Sequence, residues 1–258
     1  MGVLADHVVL VSGGTQGVGL AIARAAAADG ARVVLTGRRA DAGERSAAEL
    51  RATGADCRFV ACDVADVEAC RAAVQETVRL HGRVDGLVNA AGFTERGTLL
   101  GETPEQFDRH VAINLRGPFF LMQAAVADMV GRGEPGTVVN VITMSSHGGQ
   151  PHLAAYSATK AGLVGLTKNA AYAHRFDRVR INGINIGWTD SEGEDAIQRR
   201  FHDAGDGWRE EAGRRLPAGR LASPEDVAGL AVLLLSPASG VVTGSVVDWD
   251  QTVPGASD

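Results

Sequence analysis

The chain has 258 residues, a formal net charge of −6 and 45% hydrophobic residues. That apolar share supplies a full core and excludes wholesale disorder. A mildly acidic chain with no basic block is a poor match to nucleic acid or to an anionic membrane surface. The 33 glycines exceed the usual share of about 7% but do not repeat every third residue, so tight turns explain them better than a collagen-like repeat.

Cys57, Cys62 and Cys70 are odd in number and form no C-x-x-C pair, so they are expected as small buried side chains in a reducing compartment. The N-terminus has no basic region followed by an apolar stretch. Apolar runs such as Leu230–Leu235 fall far short of the roughly 20 residues of a bilayer span. No histidine pair has a metal-binding spacing. These features point to a soluble cytoplasmic protein without a structural metal.

The first predicted strand is His7–Ser12 (HVVLVS). Ser12-Gly13-Gly14-Thr15-Gln16-Gly17-Val18-Gly19 follows, and a helical pattern covers 17–29. Glycines at 13, 17 and 19 let the chain turn sharply and bring backbone N–H groups against a pyrophosphate, with the positive end of the helix aimed at the same anion. Gly19 also permits close helix–strand packing. A plain Gly-rich turn is the ordinary alternative. The strand–loop–helix context favours a dinucleotide loop made by Gly13, Thr15, Gln16, Gly17, Val18 and Gly19.

The second strand, Arg32–Thr36, leads into Gly37-Arg38-Arg39. No acid stands there to hold the adenosine ribose hydroxyls or repel a 2′-phosphate, and Arg38 offers a planar guanidinium to bind one. NADP(H) is therefore favoured and NAD(H) stays open, since Gln16 adds no positive charge. After a helical pattern over 41–52 comes the strand Arg58–Cys62, then Asp63-Val64, where Asp63 can accept from the adenine amino group. After the pattern 66–81, the strand Asp85–Asn89 ends in Asn89-Ala90-Ala91-Gly92. The small residues around Asn89, Ala90 and Gly92 let a flat cofactor lie against the backbone.

Thr103-Pro104 reads as an N-cap with proline at the first helical position and opens a helix over 104–131. The strand Thr137–Ile142, a helix over 153–173, the strand Arg180–Ile186, a helix over 224–235 behind Ser223-Pro224, and the strand Ser245–Asp248 complete the chain. The strands are apolar on both sides, as a parallel sheet covered on both faces requires. Strand–helix alternation implies βαβ units, right-handed crossovers and a doubly wound α/β sheet. No linker or repeat divides 1–258, which is expected to be a single domain. The stretch 187–217 breaks the rhythm. A long insertion after a strand is expected as a substrate lid, with a short helix at Asp195–His202.

Tyr156 and Lys160 lie four apart in the 153–173 helix and so share a face. A phenol with a pKa near 10 is a poor acid–base group at neutral pH. A neighbouring ammonium favours phenolate and is expected to lower that pKa. Such a pair can give a proton to a carbonyl oxygen, or take one from an alcohol, while a nicotinamide moves hydride. Any helix can carry this pair, so its meaning comes from the motifs beside it.

Gly13-x-x-x-Gly17-x-Gly19, Asn89-Ala90-Ala91-Gly92, Asn114 in Ile113-Asn114-Leu115-Arg116-Gly117, and Tyr156-x-x-x-Lys160 occur in order. The combination strongly resembles the short-chain dehydrogenase/reductase family, from the first strand to Thr243-Gly244-Ser245. The resemblance implies a single Rossmann-like domain with a mostly parallel seven-stranded sheet flanked by helices. It implies NAD(P)-dependent interconversion of a secondary alcohol and a carbonyl, and a homo-oligomer, tetramer or dimer. By position, Tyr156 is the acid/base, Lys160 lowers its pKa and holds the nicotinamide ribose, and Asn114 positions a water.

Two positions depart from the family pattern. The serine thirteen residues before the tyrosine is Thr143 here; its hydroxyl can still donate, while its methyl crowds the site and restricts χ1. Ser145 is the rival and would require a backbone shift. Pro-Gly after the sixth strand is Ile186-Gly187, and by resemblance Ile186 and Thr189 lie near the nicotinamide carboxamide. Substrate-facing candidates are Ser145, His147, Gln150 and His152, with Trp188, Glu192, Asp195, Arg199, His202 and Trp208 from the lid. Together they suggest a polar pocket with aromatic walls, suited to a small hydroxylated or sugar-like substrate. A non-catalytic NAD(P)-binding sensor on the same fold is the competing class, which Thr143 keeps alive. A sugar-nucleotide epimerase or dehydratase is disfavoured by the glycine spacing and the missing C-terminal substrate domain.

Overall fold

Runs of Val, Ile and Leu form seven strands in the computed structural model, which describes residues 2–255. They are β1 Val8–Ser12, β2 Arg32–Gly37, β3 Cys57–Ala61, β4 Gly86–Asn89, β5 Gly136–Val141, β6 Val179–Ile186 and β7 Val246–Trp249. Each lies within about two residues of its sequence-predicted position. They pair in the order β3-β2-β1-β4-β5-β6-β7, and every ladder is parallel. All residues of β1, β4 and β5 are buried, which is why these strands show no polar alternation. Alternate side chains still go to opposite faces. Val9, Val11, Val33 and Leu35 join one core layer, and Leu10, Val34, Leu87 and Ile181 join the other.

Helices α1 Gly17–Ala28, α2 Ala40–Ala52, α3 Val67–His81, α4 Pro104–Val111, α5 Gly117–Arg132, α6 Ala154–Ala173, α7 Glu192–His202, α8 Trp208–Gly213 and α9 Pro224–Leu235 occupy the connections. Thr103 accepts from the Gln106 amide, and Ser223 forms a reciprocal capping box with Asp226, as the Thr-Pro and Ser-Pro pairs predict. The single helix expected over 104–131 is instead α4, a π-helical turn at Ala112–Arg116, and α5. Pro118 has no N–H to return to the Asn114 carbonyl. The Gly117 amide reaches back to the Ala112 carbonyl, and the wider turn results. Within 187–217, α7 begins three residues earlier than predicted because the Ser191 hydroxyl accepts from the Glu194 amide. Trp208 and Ala212 pack with Leu221, beyond that stretch, in a small separate core.

The three cysteines are buried and free. Among the described residues no helix is long and apolar enough to cross a membrane.

Candidate active site

Strand order reverses at β1, which is flanked by β2 and β4. In an open parallel sheet the crevice beyond the carboxyl ends at such a reversal is where ligands sit. Gly13 closes the crevice floor at φ +73°, and a Cβ there would lie 2.6 Å from the Ala91 nitrogen. A Cβ on Gly19 would lie 2.2 Å from the Gly13 carbonyl oxygen. The glycines thus let the loop, the end of β4 and α1 meet. The Thr36 carbonyl holds the Gly13 and Gly14 amides at 3.1 Å each, and Ser46 Oγ donates to the Thr15 carbonyl at 3.0 Å.

No side chain caps the N-terminus of α1, so its first amides face the crevice for an anion. Ser12, Thr36, Asn89 and Asn140 stand in one row across the sheet. The oxygens Ser12 Oγ, Thr36 Oγ1 and Asn89 Oδ1 are buried without a partner among the described residues. A cradle without Cβ atoms, uncapped amides and unused polar atoms fit a dinucleotide.

At the adenosine end Arg38 is exposed. Its neighbour Arg39 donates to Gln16 Oε1 at 2.7 Å and brings positive charge to the loop. Asp63 accepts from the Ala65 amide at 3.0 Å, closing the turn after β3, and Val64 packs under Gly117.

Tyr156 and Lys160 project from α6. Lys160 Nζ donates to the Val141 carbonyl at 2.8 Å and stands 6.0 Å from the Tyr156 ring centroid. Burial pulls the Lys160 ammonium down to about 8 and pushes the Tyr156 phenol up to about 12, against the opposing effect of the Thr143 hydroxyl beside it. The expected lowering of the phenol by Lys160 is therefore not met in the chain alone. The ammonium is spent on a backbone carbonyl, and the apolar surroundings penalise phenolate. The tyrosine side chain is half-buried, and solvent at its open face offsets part of that push. Tyr156 is a protonated donor at neutral pH.

Thr143 caps the short 3₁₀ turn Met144–His147, its Oγ1 accepting from the Ser145 amide at 3.2 Å. Ser145 Oγ donates to Gln150 Oε1 at 2.5 Å. Thr143 Oγ1 in turn donates to Ser145 Oγ at 3.3 Å, so the two candidate hydroxyls are linked to each other, with Ser145 also bound to Gln150. Asn114, fully buried on the π turn, clamps Phe93 at two points: Oδ1 accepts from its amide at 2.8 Å, and Nδ2 donates to its carbonyl at 2.9 Å.

Several substrate-facing candidates make contacts within the protein. His147 Nε2 lies 3.0 Å from Asp248 Oδ1 and ties the 3₁₀ turn to β7. Trp188 stacks on Trp208 at 6.1 Å and donates to Glu194 at 2.9 Å. Asp195 is held by Trp208 at 2.8 Å and by Arg199 and Arg209. His152 is exposed and contributes its backbone carbonyl to the Gly97 amide at 3.0 Å. Ile186 ends β6, and buried Thr189 donates to the Gly187 carbonyl at 3.0 Å.

A cavity of about 370 Å³ opens between the 95–109 segment and the lid, lined by Glu95, Arg96, Gln106, Arg109 and Phe201. Arg96 reaches Glu194 at 3.6 Å and His202 at 3.3 Å, and Arg200 pairs with Glu95 at 2.9 Å. No spacing in the sequence signals these contacts, because they join segments a hundred residues apart.

A family model described as Enoyl-(Acyl carrier protein) reductase matches residues 13–251. The 2-(S)-hydroxypropyl-CoM dehydrogenase 3 of Xanthobacter autotrophicus is 36% identical over 247 residues, 96% of each chain. The sorbitol dehydrogenase of Cereibacter sphaeroides is 30% identical over 93% of this chain and 94% of its own. A crystallised variant of actinorhodin polyketide ketoreductase with NADPH superposes with a TM-score of 0.93 at 29% identity, covering 99% of this chain and all of its own. The chain belongs to the short-chain dehydrogenase/reductase family of oxidoreductases.

Proposed function

We propose that this protein interconverts a secondary alcohol and a ketone or aldehyde on a small polar substrate, with NADP(H) favoured over NAD(H). The observation that carries the reading is the buried ammonium of Lys160 one helical turn from Tyr156 on α6, with Thr143 capping the 3₁₀ turn that packs against the same helix. A nicotinamide dinucleotide in that cradle supplies hydride acceptor and donor chemistry. The chain does the rest. Tyr156 gives a proton to the substrate oxygen in reduction and takes it back in oxidation. Thr143 donates to the same oxygen and orients it. Lys160 holds the nicotinamide ribose, and Asn114 positions a water on the proton path.

Gly13, Thr15, Gln16, Gly17, Val18 and Gly19 cradle the pyrophosphate. Asp63, Val64, Asn89, Ala90 and Gly92 line the adenosine and central parts of the cleft, and Ile186 and Thr189 lie at the carboxamide. Arg38, with Arg39 beside it, supports the preference for a 2′-phosphate. The charged cavity wall and a polyol-oxidising relative support a hydroxylated substrate. We read 1–258 as one cytoplasmic domain that works as a homo-oligomer, tetramer or dimer, with 187–217 as its lid.

The test mixes purified protein with NADPH or NADH and a panel of keto-sugars, hydroxyketones and sterol ketones, following loss of reduced-nicotinamide absorbance. Turnover of polar carbonyls is expected, with Tyr156→Phe slower by about 10²–10⁴-fold and cofactor binding kept. Cofactor binding without turnover across the panel would overturn the catalytic reading in favour of a sensor.

A further inference from the structure

Behind Asn114 sits a pair of buried ionisable side chains that this scheme does not use. His110, one turn earlier on α4, is fully buried, and its Nδ1 lies 3.3 Å from Asn114 Nδ2. The Asn114 amide cannot be flipped, because Phe93 supplies an N–H to its oxygen and a carbonyl to its nitrogen. Nδ2 is therefore a donor toward the ring; Thr159 Oγ1, its other neighbour, is farther at 3.4 Å. His110 Nδ1, the nearer of these two neighbours, is placed to accept, which puts the ring proton on Nε2. Nε2 has no hydrogen-bond partner among the described residues and faces Glu102 Oε1 at 3.8 Å. Both Glu102 oxygens are buried and unpartnered as well. Gly97 makes the space: a Cβ there would lie 1.9 Å from Glu102 Oε2. The imidazole packs on Phe93 at 4.6 Å and stands edge-on to Tyr156 at 6.3 Å.

We propose that neutral His110 is a positioning residue for the proton path, holding the Asn114 carboxamide through Nδ1 while Glu102 selects the Nε2–H tautomer. This rests on the reading that Asn114 serves proton transfer. An imidazolium would turn a second donor against Asn114 Nδ2 and release its grip on Phe93. Glu102, whose own carboxyl burial and Glu95 push up, faces Nε2, while Glu95 and the carbonyls of Phe93 and Glu95 favour the ring's charged form. Arg109 and burial oppose it, and burial prevails. Tyr156 faces the ring as a neutral phenol. Site activity should therefore fall as His110 takes up a proton.

The test has two arms. The first needs no turnover: long-range ¹⁵N–¹H spectra of the full-length protein at neutral pH should show His110 as the Nε2–H tautomer, with slow solvent exchange at the Asn114 side-chain amide. An Nδ1–H tautomer overturns the proposal. The second uses NADPH with whichever panel carbonyl turns over fastest. His110→Leu, which keeps the apolar packing, should lower kcat on the order of 10-fold with cofactor KM changed by less than about twofold. His110→Asn, whose oxygen falls near the position of Nδ1, should recover most of that loss and remove the fall in kcat at low pH. Glu102→Gln should move that fall to lower pH. Equal loss in the two His110 variants, or an unchanged pH profile in His110→Asn, overturns the proposal. If nothing on the panel turns over, the catalytic reading fails and the tautomer result still decides the His110 geometry.

Discussion

Replacing Lys160 by methionine separates what the ammonium costs the fold from what it does in the site. The side chain is 4% exposed, and burial lowers its pKa from 10.5 to about 8. A base with a lowered folded pKa carries its penalty in full below the folded value and sheds it as pH rises toward the unfolded value. Near pH 7.5 the penalty is about 3 kcal/mol, and near pH 10 about 1 kcal/mol. Lys160→Met removes it but leaves the Val141 carbonyl without its donor, at about 1–3 kcal/mol. The variant should therefore match or exceed the parent in stability near neutral pH. Relative to the parent it should then lose about 2 kcal/mol by pH 10, a shift of roughly 4–8 °C in Tm for a chain of this size. Urea unfolding of both proteins across that range is the assay, and oxidoreductase activity should be lost throughout. A stability difference that does not change with pH, or that grows in the variant's favour, would refute the argument that the buried lysine is charged at a cost.

Thr143→Ser should keep activity within about threefold, since the hydroxyl remains, whereas Thr143→Ala should lower kcat by about 10²-fold; Ser145→Ala, which removes the bonds to Gln150 and from the Thr143 hydroxyl, should cost far less, all read from steady-state kinetics. Arg38→Ala should raise KM for NADPH about 10-fold and leave NADH unchanged, with Arg39→Ala adding a smaller effect through Gln16; equal effects on both cofactors would place neither arginine at a 2′-phosphate. Arg96→Ala removes the lid contacts to Glu194 and His202 and should raise substrate KM several-fold while moving Tm by less than about 2 °C; limited proteolysis within 187–217 should quicken in parallel.

The strands were legible because parallel strands buried on both faces leave uninterrupted apolar runs bounded by turn residues, and the helix starts because Thr103 and Ser223 announce themselves before proline. Ser191, three residues before Glu194, carried the same signal for the lid helix, and the expected start at 195 passed over it. The π turn was hidden, since apolar spacing runs through 112–116 unchanged and only the missing N–H of Pro118 interrupts the ladder. The glycine loop could be placed from its spacing. The electrostatics of Tyr156 could not, because spacing along one helix does not reveal that Lys160 reaches β5 instead. His110, Glu102 and Arg96 were missed for the same reason. Their contacts depend on how the 93–114 segment folds back under the lid.

A sheet without a single hairpin has a bearing on how the chain is made. Val8 pairs with Arg32 on one side, but on the other side Val9 waits for Gly86, and later ladders join Gly136 to Val179 and Gly183 to Val246. Every rung closes a long loop before any contact rewards it, so assembly should be slow compared with a helical bundle of equal size. A nascent chain that stops short of β4 exposes one whole edge of β1, five residues with no polar face. Fragments ending there should aggregate, whereas chains that include β4 should not.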